Sequence, residues 1–392
     1  MTRLDRDART RLTYAQLGAF GYFIYGFGPA VALLRDEQGF SRTVAGLHGT
    51  ALAVGGLIAS LVVAELSARL GRTRMIWVGL TLMCLGVTLL CGVTALPATL
   101  GGALVASLGG SFVVTCTATA LAAAHGTGGP AAITEANAVA AAFGALAPLA
   151  VGVAAALGSW RVALLLLLPA VGLLALVSQG TPQPADVEQR AAATAPGRLG
   201  RAFWVAWAVV TAGIAVEFCL ALWAADLLRL RTGMSAAAAS ASVTAFVLGM
   251  ALGRGAAGRL VLRHTPERLL SAALALNAAG FLVFWSATTP VLAVAGLLAC
   301  GLGVAAYFPL GLARAIAASG GRPDRASARV GLGAALASGS GPIVLGALAD
   351  SGGIHRAMLV VPALIAVAAV GIRLGPTPTS LPSPAAPTVP HL

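Results

Sequence analysis

The chain has 392 residues, of which 58% are hydrophobic and only 10% charged, with a formal net charge of +12. A soluble domain carries roughly a quarter charged residues, so the long apolar runs mark a polytopic membrane protein, and the scattered positive charges do not mark a nucleic-acid binder. Every basic residue is Arg, which excludes a P-loop, whose Lys reaches the phosphates, and Schiff-base chemistry, which needs a Lys amine.

The first eleven residues, MTRLDRDARTR, are polar. No cleavable signal is evident, and the apolar run that follows reads as a first span. Hydropathy predicts twelve spans near 12–34, 43–68, 75–96, 98–123, 131–157, 160–178, 202–226, 236–262, 267–288, 290–314, 325–349 and 355–374. The fold class is therefore all-α, with twelve transmembrane helices. The expected units are an N-terminal six-helix bundle over 1–178, a cytoplasmic linker over 179–200, a C-terminal six-helix bundle over 201–374, and a disordered Pro-rich tail over 375–392.

Span 1 carries Tyr22 and Tyr25, three residues apart and so on one helix face. His48 lies early in span 2. Span 4 holds Ser111, Thr115 and Thr117 but no charge, and span 5 opens with Glu135 and Asn137. Hydroxyls in such helices often bond back to the preceding turn. Span 7 contains GIAVEFCLALW, with Glu217 in the middle. At ~1.5 Å per residue the acid lies some ~22 Å into the span. A carboxyl at that depth is costly, and it reads as a functional group that can take up and release a proton. The bland alternative is an acid satisfied by a neighbouring hydroxyl. Span 8 holds Arg254, ~10 Å from its inner end and so ~12 Å from Glu217 in depth. That gap reads the two as separate, with Arg254 either a cavity charge for an anionic group or a gate residue. Gly249 and Gly253 have the spacing of a close helix contact. Span 9 has Asn277, and span 10 has Tyr307 ahead of Phe308 and Pro309, where a kink is expected.

The five Cys all lie in apolar runs and the five His are scattered. No disulfide framework, metal site or other cofactor is expected. With both termini inside, eighteen Arg fall at inner ends and six at outer ends, and Arg254 lies within a span. That bias fits a cytoplasmic-membrane protein with both termini cytoplasmic.

A shift of 194 residues superimposes the halves. LLRDEQGFS at 33–41 meets LLRLRTGMS at 227–235, and Gly55, Arg69, Arg74, Pro148 and Gly152 meet Gly249, Arg263, Arg268, Pro342 and Gly346. Six spans is an even number, so the copies keep one orientation and are related by a pseudo-two-fold along the membrane normal. Transporters that rock two bundles about a central site have this architecture.

With these features the chain resembles the major facilitator superfamily over nearly its whole length. The family's signature loop between spans 2 and 3, G-x-L-a-D-r-x-G-r-k, is read here as AELSARLGRTR, with Leu66, Arg69, Gly71 and Arg72 in place and Arg74 added. Ala64 replaces the Gly and Ala68 the Asp. The second copy, GRLVLRHTPER, keeps Gly258, Leu260 and Arg263 and also lacks the Asp. The resemblance implies gating by Arg69, Gly71, Arg72, Arg74 and Arg263, while the missing Asp removes part of that lock. GALADSGG at 346–353 looks like the signature but falls at the outer end of span 11, so it is set aside. APLAVG in span 5 is a weak echo of an exporter motif, and span 4 lacks the Arg common in proton-coupled exporters.

The resemblance further implies a cavity lined by spans 1, 4, 7 and 10. The substrate-binding candidates are then Tyr22, Tyr25, Glu217, Arg254 and Tyr307, with Glu217 also the proton-coupling residue. The expected function is secondary active transport of a small organic molecule by alternating access, proton-coupled and of unresolved direction. The expected partners are that substrate, a proton or other coupling ion and the lipid bilayer, with no nucleic acid, and the expected state is a monomer. An uncoupled facilitator of the same fold is the alternative. A membrane sensor or enzyme is remote, since no output domain, triad or acid–base pair is evident.

Overall fold

A computed structural model describes residues 6–179, 199–261 and 263–374. The expected linker over 179–200, apart from its edges, and the expected tail over 375–392 lie outside the described residues. Twelve helices are long and apolar enough to cross a membrane: α1 (Ala8–Gln38), α2 (Arg42–Leu70), α3 (Arg72–Gly92), α4 (Leu96–His125), α5 (Ala131–Ala156), α6 (Arg161–Ser178), α7 (Arg201–Thr232), α8 (Ala236–Ala257), α9 (Pro266–Ser286), α10 (Pro290–Ala317), α11 (Arg325–Gly352) and α12 (Ile354–Leu374). They form two six-helix bundles, α1–α6 and α7–α12. Both described ends lie on one face, here the terminal face; the other is the distal face.

Several helices outrun their predicted apolar spans because local capping, rather than hydropathy, sets their ends. Asp7 caps α1 by accepting the Thr10 N–H at 2.7 Å, and that bond holds its carboxyl below the ordinary aspartate value. At the other end Gly39 adopts φ 67°, and its repeat partner Gly233 closes α7 at φ 69°. Such left-handed caps favour Gly, which carries no Cβ. Ser41 and Ser235 then cap α2 and α8 through the N–H groups of Val44 and Ala238. The first sequence match between the halves is therefore one helix-stop, helix-start unit used twice.

The repeat persists in the packing. A Cβ on Gly55 would lie 2.2 Å from the Leu104 carbonyl oxygen, and one on Gly249 would lie 2.2 Å from the Leu298 carbonyl oxygen. Both glycines and both partners are 194 residues apart. Glycine here lets two backbones touch, which is how helices associate in lipid. Gly253 makes a similar approach to Leu302 and Ala305, so the Gly249/Gly253 pair is a packing stripe between α8 and α10. Large apolar side chains such as Leu61, Leu157 and Val291 stay exposed and form the surface that lipid covers.

Between the bundles, small residues close the distal half. Gly28 of α1 abuts Ala221 of α7, Gly46 of α2 abuts Ile343 of α11, and Gly152 of α5 abuts Ala237 of α8. Thr50 donates to the Gly339 carbonyl across the same seam at 2.8 Å.

Candidate functional site

The site lies where α1 and α7 cross. Tyr25 extends from α1 over Gly144 of α5, where a Cβ would sit 2.4 Å from its ring. The Tyr25 hydroxyl donates to Glu217 Oε1 at 3.5 Å and accepts from Arg254 Nη2 at 3.5 Å. Both bonds are at the long limit for hydrogen bonding. Among the described residues no salt bridge joins Glu217 directly to Arg254. Glu217 and Arg254 read from the sequence as separate groups; a tyrosine from the other bundle spans the gap between them. Side chains from α8, α1 and α7 thus form a polar chain between the bundles, with one cation, one hydroxyl and one acid.

Glu217 opens into a cavity of about 210 Å³ lined from α1, α2, α7 and α11. Its walls include Phe20, Tyr25, Phe27, Phe218 and Pro342, and Glu217 is the one carboxylate among them. This cavity draws on α1 and α7 as the resemblance implies, but on α2 and α11 in place of α4 and α10. Ser107 of α4 is turned to the Leu52 carbonyl of α2 at 2.7 Å, and Thr117 bonds back to Val113 within its own helix. Tyr307 of α10 packs its ring on Gly213 of α7, with its hydroxyl buried and without a hydrogen-bond partner.

The other candidates are placed as follows. Tyr22 donates to the Ala163 carbonyl of α6 at 2.8 Å, so the structure does not bring it to Tyr25's cavity. His48 is buried against Thr99 of α4 at 3.0 Å. Asn277 donates to the Cys300 carbonyl at 3.1 Å, and Glu135 pairs with Arg6 at 2.6 Å. On the terminal face Gly71 turns the chain from α2 into α3 at φ 86°. Arg69 pairs with Glu65 on its own helix, Arg72 opens α3, and Arg74 and Arg263 are exposed.

A second charged cluster was not foreseen from the sequence. On the distal face Asp226 of α7 is buried between Arg35 and Arg42 of the other bundle, with Arg35 Nη2 at 3.0 Å and Arg42 Nε at 3.1 Å. Arg229 of α7 pairs in turn with Asp36 of α1. Asp350 of α11, the Asp of the set-aside GALADSGG, caps α2 across the seam. It accepts from the N–H groups of Arg42 and Thr43 at 2.9 and 2.8 Å and from the Thr43 hydroxyl at 2.6 Å. The available signal was an acid, Asp226, at the end of an apolar span close to the repeated Arg pair Arg35 and Arg229.

Two like-oriented bundles, a sealed distal seam and a cavity between the bundles are the architecture of a twelve-helix membrane carrier. The sequence profile of the Major Facilitator Superfamily matches residues 15–228 and again 202–390. The chain belongs to that superfamily and is a transporter rather than an enzyme. No curated protein matches it. Among solved structures it is similar to a bacterial homolog of the human lysosomal transporter Spinster, in an inward-facing and occupied conformation. Identity there is 14%, coverage is 95% of this chain and 93% of that one, and the TM-score is 0.70. It is also similar to the Escherichia coli fucose:proton symporter FucP, at 18% identity, 94% and 98% coverage and a TM-score of 0.64. The nucleoside transporter NupG matches at 12% identity, 93% and 97% coverage and a TM-score of 0.71. At these identities the likeness is one of fold.

Proposed function

We propose that this transporter moves a small organic molecule by alternating access, driven by protons through Glu217. The observation that carries the reading is the place of Glu217: a lone carboxylate in an inter-bundle cavity, held by a hydroxyl of the opposite bundle. An acid in mid-membrane is retained for function. When the bundles rock, its bond to Tyr25 is stretched or broken, so its proton affinity differs between the two states. That difference is what coupling requires. The solved symporter FucP is consistent with proton coupling on this fold. The arginine bias supports a cytoplasmic position for the terminal face, in a cytoplasmic membrane.

The test is flux in proteoliposomes under an imposed pH gradient. Wild type should accumulate substrate against its gradient. Glu217→Gln should equilibrate it without accumulation. Full pH-driven accumulation by the variant would remove Glu217 from the coupling role, and equilibration alone by the wild type would make the protein a facilitator.

A further inference from the structure

The walls of the central cavity say what kind of molecule it takes. At about 210 Å³ it is smaller than the pockets that hold drug-sized ligands, roughly 300–1,000 Å³. Four aromatic rings, Phe20, Tyr25, Phe27 and Phe218, line it beside the Glu217 carboxylate. Aromatic linings and carboxylates both suit a positive charge. Arg254 does not line the cavity; it stands behind the Tyr25 hydroxyl.

The groups that face Glu217 are few. From α1 there is Tyr25 and from α8 there is Arg254. On α7 itself Cys219 lies against Gly341 of α11. Tyr307 of α10 lies against Gly213, one turn away on α7. The α2 and α11 residues that reach the cavity, Gly49, Leu52 and Pro342, are not titratable, and His48 is turned to α4.

We infer that the substrate is a one-ring-sized organic cation and that it exchanges with a proton, one for one, at Glu217. This rests on the reading of Glu217 as the coupling residue. One carboxylate neutralises a proton or a cation, never both. When the cation enters, the Glu217 O–H bond breaks and the proton leaves to water on the open side. When the cation departs on the other side, a proton from that side re-forms the bond. With Arg254 counted, the empty ionised site is neutral, and either loaded form carries one positive charge. Exchange of a monovalent cation for a proton therefore moves no net charge. A pH difference drives it and a membrane potential does not.

The experiment uses the full chain and four probes: benzyltrimethylammonium, whose charge is permanent, and phenylacetate, phenylalanine and benzyl alcohol as anionic, zwitterionic and neutral controls. Calorimetry in weakly buffered detergent solution should show that the cation binds best. It should release about one proton per cation bound, with affinity falling about tenfold per unit as pH drops through the acid limb. Glu217→Gln should abolish the release, and Glu217→Asp should restore it. In proteoliposomes a pH gradient should drive the cation, and a potassium diffusion potential should leave its flux unchanged. No binding of benzyltrimethylammonium, or preference for any of the controls, overturns the cation assignment. Cation binding without proton release overturns the exchange. Should a neutral or anionic compound show pH-driven flux that depends on Glu217, this inference fails while the coupling reading stands. Cation flux that ignores pH in the wild type sinks the coupling reading itself.

Discussion

Arg35 and Asp226 stand on opposite bundles, 191 residues apart in the chain, and meet in a buried ion pair. Neither is redundant, because Asp226 also holds Arg42, and Arg35 also holds Asp36. Burying such charges is costly unless each remains paired, and removing one partner costs more than the pair is worth. The Asp226 pairs with Arg35 and Arg42 run between bundles, so that cost falls on the distal-closed state.

Asp226→Asn keeps the shape and removes the charge. Arg35, left with Asp36 alone, and Arg42 would then crowd each other without the carboxylate they share, at a penalty on the order of 3 kcal/mol. The distal seam should open. Spin labels at Thr94→Cys and Thr288→Cys, on repeat-related distal loops that are both exposed, should gain a longer-distance population in the variant. An unchanged distance distribution would show that the ion pairs do not hold the seam.

Asp350 closes the same face by a different means, since it caps a helix of the other bundle. Asp350→Ala should strip α2 of acceptors for two backbone N–H groups and the Thr43 hydroxyl, at a cost of about 0.5–2 kcal/mol. Asp350→Asn should retain most of the cap. Melting curves in detergent compare the two, and an Ala variant as stable as the Asn variant would refute the capping role.

The gap between what the sequence disclosed and what it hid follows from the range of the interactions. Helix number and the repeated helix boundaries depend on local hydropathy and on caps such as Gly39 and Ser41, and these are written in contiguous residues. Glu217 stands out in the sequence for the same reason, as an acid inside an apolar run. Its partner was not, because Tyr25 reaches it only through packing of α1 against α7. Tyr22 and Tyr25 share a face by spacing, yet α6 engages one and α7 the other. The distal cluster was hidden most completely. Arg35 and Arg229 read as ordinary flanking charges until the fold places an acid beside each, and GALADSGG looks like a signature loop while its Asp caps a helix of the other bundle.

The two span 1 tyrosines should separate on substitution. Tyr25→Phe removes the bridge between Glu217 and Arg254 while leaving the ring on Gly144. It should displace the pH midpoint of transport. Tyr22→Phe loses one hydrogen bond, to the Ala163 carbonyl, worth about 0.5–1.5 kcal/mol of stability, and should leave the midpoint in place. Initial rates across pH in proteoliposomes measure both, and equal midpoints for the two variants would take Tyr25 out of the polar chain.

The glycine contacts give a prediction free of any assumption about substrate. At Gly249 a methyl group would meet the Leu298 carbonyl oxygen at 2.2 Å, a backbone atom that cannot turn aside. Gly249→Ala should therefore push α8 from α10 and destabilise the C-terminal bundle by about 1–3 kcal/mol. Gly55→Ala should do the same to α2 and α4, since its neighbour is the repeat-related Leu104 carbonyl. At Gly255, also within α8, nothing lies within 4 Å of the added atom. There Ala should be neutral or should stabilise by up to about 1 kcal/mol, through the lower entropy cost of ordering it in a helix. The three variants share one side-chain change and one secondary structure, so only the approach of the facing helix distinguishes them. If thermal unfolding in detergent ranks Gly255→Ala with the other two, helix propensity rather than backbone contact governs these positions, and the duplicated glycine packing loses its support.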